Sequence, residues 1–246
     1  MNDYKVAYFI PTYSSPRLAE TISTVPQGAT LEVVNTKERG WSLSKAWNYA
    51  AEEFLYNDTF DCVCIMNDDI RLNPDTGELL AFGLLEGQFN PTQPTLGGNP
   101  DGKLLLVSGY NLNPIPHGGD PDVGCRWGIG APTYSLFVVG HRYFEEVGPF
   151  DENFPVYFED NDSHRRIRLA GYEAAQWAPF WHHTSSTMTD DPVRRDEVQR
   201  PGGIFQQSQS YFIQKWGGMP DTPGLYPYPF NDPDRAWVPT ANPFGQ

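Results

Sequence analysis

The chain has 246 residues, and its 17 basic and 31 acidic side chains give a formal charge of −14. Because it has no long basic run, this balance argues against nucleic acid and anionic membrane surfaces as primary partners. The length and the apolar content allow one large α/β domain or two small ones. A small charged ligand stays possible, since a metal ion can supply local positive charge.

The three cysteines predict free thiols and a reducing compartment. Cys62 and Cys64 lie two residues apart on one predicted strand, a poor geometry for a disulfide, and Cys125 is left over. The N-terminal segment is too acidic, and its apolar run too short, for a signal peptide. No segment approaches the roughly 18 apolar residues of a membrane span. We therefore expect a cytoplasmic protein without a membrane span.

The first elements alternate between strand and helix. Residues 4–10, YKVAYFI, predict a strand that ends at Pro11. Ser15 is a suitable N-cap for a short helix with Pro16 at its first position. Residues 31–34, LEVV, predict the second strand.

A longer helix follows from Ser42, and residues 62–66, CVCIM, predict a third, buried strand. The helix presents one apolar face with a 3.6-residue period, formed by Leu43, Ala46, Trp47, Ala50, Ala51, Phe54 and Leu55. The order strand–helix–strand–helix–strand favours a parallel sheet covered on both faces. Ligands bind such sheets at the carboxyl ends of the strands.

The second half of the chain is less regular. Residues 87–124 are rich in Gly, Pro and Asn and predict functional loops, apart from a strand at 103–110. Residues 135–140 predict another strand and residues 141–147 a helical turn. A helix is expected from about residue 159 to 170, where Gly follows.

The last thirty residues, 217–246, contain seven prolines and five aromatic residues. This composition suits neither a helix nor a strand, and leaves a disordered tail or a docked extended arm. So many aromatic residues are unusual in a solvated linker. We predict that the segment packs in extended form on its own domain or on a neighbouring subunit.

Three polar residues, Asn67, Asp68 and Asp69, directly follow the third strand. Asn and Asp favour turns, which is the simpler interpretation. The alternative is a divalent cation site built from oxygen ligands. It is not an EF-hand, because the required Gly and the distal Glu are missing at the right spacing.

A second acidic cluster, Glu159, Asp160 and Asp162, opens the later helix. Asp162 can pair with Arg166 four residues on, and acidic residues suit a helix N-terminus. Glu159 and Asp160 follow the apolar run FPVYF, and such surroundings raise the proton affinity of a carboxylate, as a general base needs.

His182 and His183 follow an aromatic run, APFW. Lone histidines are more often structural than ligands. The chain has no HExxH motif, so a protease-type zinc site is unsupported.

In chain order, these segments resemble the inverting family 2 glycosyltransferases, which have the GT-A fold. VAYFIPTYSSPRLAETI is similar to the opening strand, its Pro-Thr-Tyr turn and the first helix. GWSLSKAWNYAAEEF resembles the helix that carries an Asn, CIMNDDIRLNPD the DXD segment, and WHHTSST the His segment. The strongest match, VGPFDENFPVYFEDNDSHRRIRLAGY, holds the family pattern in register at Gly148, Phe150, Asp151, Glu152, Glu159, Asp160, Asp162, Arg166, Ala170, Gly171 and Tyr172.

The resemblance covers roughly residues 4–190 and implies an α/β fold. Its core is a GT-A-type, Rossmann-like nucleotide-binding sheet with helices on both faces. We expect a glycosyltransferase domain over 1–216, with a nucleotide-binding half at about 1–110 and an acceptor and catalytic half at about 111–216. The Pro- and aromatic-rich C-terminal arm, 217–246, completes the chain.

The resemblance further implies a metal-dependent, inverting sugar transfer from a nucleotide-sugar to an acceptor hydroxyl. Mn²⁺ or Mg²⁺ would be held by Asp69 together with His182 or His183. Asp160 would be the general base, and Glu159 beside it would bind acceptor hydroxyls.

The donor site implied by the resemblance comprises Pro11, Thr12, Tyr13, Asn35, Asn48, Asn67 and Asp68. Two positions depart from the family pattern. Asn67 stands in place of the first Asp of the DXD segment, and Asn35 stands where an acidic residue usually lies near the base and ribose.

The expected partners are a UDP-sugar donor, a glycan or protein acceptor, and a second copy of the chain contacted through the C-terminal arm. Two other functions stay open. One is a GT-A-like nucleotide or sugar-binding module without catalysis, which Asn67 favours and an intact Asp160 disfavours. The other is a nucleotide-sugar hydrolase, for which the loops at 87–124 look less suited than for an acceptor.

Overall fold

The computed structural model describes residues 4–56, 59–85, 104–111, 128–129, 132–182 and 190–220. The strands in these ranges are β1 (Val6–Thr12), β2 (Thr30–Asn35), β3 (Cys62–Met66), β4 (Ile70–Leu72), β5 (Leu104–Asn111), β6 (Gly128–Ile129), β7 (Leu136–Val139) and β8 (Glu173–His182). The helices are α1 (Leu18–Ser23), α2 (Thr36–Arg39), α3 (Leu43–Phe54), α4 (Thr76–Leu85), α5 (His141–Glu146), α6 (Glu159–Leu169), α7 (Pro192–Gln199) and α8 (Ile204–Trp216). None of these helices is long and apolar enough to cross a membrane.

All the strands belong to one sheet in the order β2-β1-β3-β7-β5-β8-β4, with β6 paired to β8. The first three strands are parallel, as predicted. The expectation of a wholly parallel sheet is wrong, because β7 runs antiparallel to both β3 and β5, and β4 antiparallel to β8. The α/β class is confirmed, and the sheet is mixed.

The first strand extends past its predicted end and includes Pro11. Its pairing with β3 stops at Phe9, whereas its pairing with β2 continues to Thr12. Pro11 therefore lies where β1 has a partner on one side only, the position in which a sheet tolerates a residue without an N–H.

The predicted start of the first helix is wrong by two residues. Ser15 Oγ accepts a hydrogen bond from Arg17 N at 3.1 Å, and Leu18 N donates to Ser15 O at 3.3 Å. Ser15 and Pro16 thus form a turn that leads into α1, and Arg17 takes the N-cap position without a side-chain hydrogen bond.

Helix α3 forms as the sequence predicts. Ser42 is its N-cap, and its hydroxyl oxygen accepts a hydrogen bond from Lys45 N at 3.2 Å. Its apolar face packs on one side of the sheet with Phe9 and Ile65, while alternate residues of the same strands, including Tyr8, pack with α4 on the other side. Helices therefore cover both faces, as expected of this fold class.

Several sequence predictions fall outside the described residues: the loops at 87–124 other than β5, the thiol Cys125, the side chains of His182 and His183, and the C-terminal arm from residue 221. Cys62 and Cys64 are buried free thiols, as predicted.

Candidate active site

The carboxyl ends of β1 and β3 are joined by Asp68. Its Oδ2 accepts hydrogen bonds from the Thr12 hydroxyl at 2.5 Å and from Tyr13 N at 3.1 Å. Burial, opposed by the Thr12 hydrogen bond, raises the pKa of Asp68 above its usual range. The adjacent Asn67 is anchored through its backbone N–H, which donates to Ser135 O at 2.8 Å. These contacts fix the Asp68 carboxyl group between the ends of β1 and β3.

A cavity of about 480 Å³ opens at this edge, within the range of pockets that hold small ligands. Residues distant in sequence converge on it, from the ends of β1 and β3, from the segment before β7 and from the N-termini of α6 and α7. Its lining comprises Pro11, Tyr13, Thr36, Trp41, Leu43, Trp47, Asn67, Asp68, Asp69, Pro132, Thr133, Tyr134, Ser135, Pro155, Val156, Tyr157, Glu159, Asp160, Arg194 and Val198.

Aromatic rings form much of the wall. Trp47 stacks on Tyr134 with ring centroids 5.8 Å apart, and Tyr13 and Trp41 contribute further rings near the strand ends. Tyr157 lies in the lining beside the acidic pair and is partly exposed. Such rigid apolar faces bind nucleobases by stacking and sugars by their C–H surfaces.

The acidic pair predicted from the sequence, Glu159 and Asp160, faces this cavity at the N-terminus of α6. Glu159 is buried and its Oε2 has no hydrogen-bond partner. Burial, and then the neighbouring Asp160, raise the pKa of Glu159 to about 8. Burial also raises the pKa of Asp160, against the hydrogen bond that its Oδ1 accepts from Asn161 N at 2.7 Å.

The backbone that carries this pair is strained. Tyr157 and Phe158 have φ values of 65° and 67°, in the left-handed region that residues other than Gly rarely adopt. Strain of this kind persists only where the surrounding structure enforces it, and it concentrates at functional sites.

The next acidic residue of the helix, Asp162, has a different role. Its Oδ2 accepts a hydrogen bond from Arg166 Nε at 2.9 Å, which confirms the predicted pair. Arg166 Nη1 donates to the carbonyl oxygens of Val147 and Pro149 at 3.1 and 2.7 Å. The other oxygen, Oδ1, accepts from Trp216 Nε1 at 2.9 Å and lies 2.7 Å from Lys215 Nζ. These contacts fix α6 against α8 and the segment after α5.

Three of the residues proposed for the donor site lie outside the cavity lining: Thr12, which is bonded to the lining residue Asp68, and Asn35 and Asn48. Asn48 donates its amide to Phe150 O at 2.9 Å and to Glu152 Oε1 at 3.0 Å, and its own oxygen accepts from Phe150 N at 2.8 Å. Asn35 caps α2 by accepting from Glu38 N at 3.1 Å. Asn48 therefore connects α3 to the segment before α6 instead of contributing to the cavity.

The other proposed donor residues line the cavity together. They are Pro11, Tyr13, Asn67 and Asp68, and Thr12 lies directly behind the cavity through its bond to Asp68.

The proposed metal ligands are only partly described. Asp69 lines the cavity, and His182 pairs with Ile70 across β4 and β8, so its backbone lies opposite the residue that follows Asp69. His183 is outside the described residues. Within the part of the chain that the structure describes, no group of three or more His, Cys, Asp or Glu side chains is placed to hold a metal ion.

Sequence analysis missed the basic side of the cavity. Arg194 Cζ lies 4.4 Å from the centroid of the Tyr13 ring, and Lys37 Nζ lies 5.1 Å from the same centroid. Lys37 also pairs with Asp191 at 3.5 Å, just before α7. No local motif marks these residues, since the contact between Arg194 and Tyr13 depends on the tertiary fold.

No family model matches the chain, and no curated protein matches its sequence. Glucosyl-3-phosphoglycerate synthase from Mycobacterium tuberculosis, in complex with Mg²⁺ and uridine diphosphate, is similar over 88% of this chain and 81% of its own, at 14% identity and a TM-score of 0.47. A197 from STIV is similar over 74% of this chain and 87% of its own, at 15% identity and a TM-score of 0.46. A glycosyltransferase involved in glycosylation of the major capsid of PBCV-1 is similar over 76% and 99%, at 10% identity and a TM-score of 0.42.

The mixed sheet, with helices on both faces, agrees with the expected GT-A-type α/β fold.

Proposed function

We propose that the chain is a metal-dependent, inverting glycosyltransferase that moves a sugar from a nucleotide-sugar donor to an acceptor hydroxyl. One observation carries the proposal. Strand-end carboxylates at Asp68 and Asp69 line the same cavity as the acidic pair Glu159 and Asp160, with aromatic walls between. The reaction needs the same components: a site for a diphosphate and its cation, a general base, and surfaces for flat rings and sugars.

The two carboxyl groups of the acidic pair take different roles. With a pKa of about 8, Glu159 is protonated at neutral pH, and its hydroxyl can donate a hydrogen bond to an acceptor oxygen. Asp160 carries the negative charge of the pair and accepts the proton of the attacking hydroxyl. A single attack on the face opposite the leaving diphosphate inverts the anomeric configuration.

The lining also fits a divalent cation by the chemistry of its donors. Asn67, Asp68 and Asp69 offer the oxygen atoms that Mg²⁺ and Mn²⁺ prefer. Asp69 together with His182 or His183 would hold the ion, whose contribution is to neutralise charge on the departing diphosphate. The carboxyl group of Asp68 already accepts hydrogen bonds from Thr12 and Tyr13. Its role is therefore to hold the ends of β1 and β3 in place around the nucleotide.

The first experiment is a thermal-shift screen of UDP- and GDP-sugars with Mn²⁺ or Mg²⁺, because a ligand of the native state raises the melting temperature by mass action. The best donor is then incubated with a panel of glycan acceptors, and the anomer of the product is assigned by NMR. Transfer with inversion supports the proposal. Release of free sugar without transfer would favour a hydrolase, and binding without turnover a catalytically inactive module.

The cation is tested separately by calorimetry of UDP binding with and without a chelator. We expect Mg²⁺ or Mn²⁺ to strengthen binding, and Asp69→Ala to abolish that gain. Asp75→Ala is a matched control, because Asp75 is exposed and outside the cavity. Equal affinities of the wild-type chain with and without the chelator would remove the metal from the mechanism.

A further inference from the structure

The charges around the cavity are unevenly distributed. Among the described residues that line it, four carry carboxyl groups, and one, Arg194, carries a positive charge. A diphosphate that approaches this lining is repelled by the carboxylates and attracted by the guanidinium. A cation held by the strand-end carboxylates would offset part of that repulsion.

Arg194 is held at the cavity by the first turn of α7. Asp191 caps this helix by accepting a hydrogen bond from Arg194 N at 3.0 Å, and Pro192 occupies its first turn. The guanidinium lies over the Tyr13 ring, and Val198 of the same helix is buried at the cavity wall. The Arg194 side chain is therefore largely shielded from bulk solvent, with an exposed fraction of 16%.

The ion pair between Arg194 and Glu197 is weak. Its Nη1 donates to Glu197 Oε2 at 3.2 Å, three residues along the helix, and the Glu197 side chain is 46% exposed. An ion pair with one partner this exposed contributes little, so a stronger anion can displace Glu197 from Arg194. A diphosphate is such an anion, because its oxygens match the fork of guanidinium donors.

We propose that Arg194 binds the diphosphate of the nucleotide donor from the α7 side of the cavity, beside the Tyr13 ring. Lys37, whose Nζ lies 5.1 Å from the centroid of the same ring, adds attraction at longer range. This inference rests on the proposed function only for the identity of the ligand. The role in donor binding that we infer for α7 is not predicted by any motif in its own sequence.

The test is calorimetry with UDP and GDP, and with uridine and guanosine as probes that lack phosphate, all in Mg²⁺. Arg194→Ala is expected to weaken the tighter nucleoside diphosphate by about 10–100-fold, the usual effect of losing charge-assisted hydrogen bonds. Its nucleoside should bind within about twofold of wild type. The affinity of Arg194→Lys for the nucleoside diphosphate should lie between those of the wild type and Arg194→Ala. A lysine keeps the positive charge but lacks the forked donors of the guanidinium.

Two further variants sharpen the test. Arg195→Ala is the matched control, since Arg195 is the exposed neighbour on the same helix and does not line the cavity. Glu197→Gln should strengthen diphosphate binding about two- to fivefold by removing the competing carboxylate.

Equal losses of diphosphate and nucleoside affinity, or no loss in Arg194→Ala, would show that Arg194 only supports Tyr13, and would overturn the inference. So would a wild-type chain that binds neither nucleoside diphosphate. The outcome is independent of turnover: a chain without transferase activity in which Arg194→Ala selectively loses the diphosphate would refute the proposed function and leave this binding role intact.

Discussion

Asp160 and Asp162 are two residues apart in the same first turn of α6, and their surroundings differ completely. Asp160 faces the cavity, and its Oδ1 accepts a hydrogen bond from the backbone N–H of the next residue. Asp162 has no exposed surface and contacts an arginine, a lysine and an indole N–H. The same side chain thus lines a cavity at one position and holds helices together at the other.

The difference shows what a helix does for a cluster of acidic residues. Successive residues are rotated by about 100° around the helix axis, so residues two positions apart point to opposite sides of the helix. The side turned toward α8 meets Lys215 and Trp216, and the side turned toward the strand ends meets the cavity. Substitutions at the two positions should therefore separate catalysis from stability.

The largest effect is expected for Asp160→Asn, which removes the proposed base and changes few contacts. Turnover should fall by roughly 10²–10⁴-fold, the usual range for a lost general base. Donor affinity, measured by calorimetry, and the melting temperature should stay close to wild type. A variant that keeps full turnover would place the base elsewhere.

Asp162→Asn should show the reverse pattern. Loss of the carboxylate leaves Arg166 buried without its counter-charge, which costs about 3–5 kcal/mol of unfolding free energy. Urea denaturation measures this loss. Turnover per folded molecule should change far less than in Asp160→Asn, and a stable but inactive Asp162→Asn protein would contradict the contrast between the two residues.

Glu159→Gln should change the pH dependence of stability. The pKa of Glu159 is raised to about 8 in the folded state, so its contribution to stability is complete below its unfolded pKa of about 4.3 and is lost as pH rises through 8. Between pH 5 and 8 the wild type should lose about 2–4 kcal/mol that the variant keeps. Urea unfolding of both proteins across this range, without metal, is the measurement. Parallel curves would mean that Glu159 is ionised in the cavity.

The smallest effect is expected for Trp216→Phe, which removes one of the donors to Asp162. A hydrogen bond to a charged group contributes about 1.5–3 kcal/mol, and Lys215 and Arg166 remain as partners, so the loss should lie at the low end. Thermal unfolding measures it. A loss equal to that of Asp162→Asn would mean that Trp216, not Arg166, is the main support of α6.

Local signals in the sequence predicted much of this arrangement. The 3.6-residue period from Ser42 onward predicted α3, the buried run at 62–66 predicted β3, and the spacing of Asp162 and Arg166 predicted their ion pair. These features depend on neighbours within a few residues, where propensity and periodicity operate.

What could not be predicted depends on contacts between distant residues. Asn48 contacts Phe150, 102 positions away, and no local pattern reveals that its amide is occupied there. Strand direction is likewise absent from periodicity, so the antiparallel β7 was not foreseen. Arg194 belongs to the same class, because an arginine on a short polar helix is unremarkable until the fold brings it onto Tyr13.

The position of β5 limits how this protein can be recombined with others. By chain order β5 ends the first half of the sequence, yet in the sheet it lies between β7 and β8, which come from the second half. A chimera joined near residue 110 would therefore pair β5 of one protein with β7 and β8 of another. Segments of this protein are therefore better exchanged by grafting surface loops than by joining halves near residue 110.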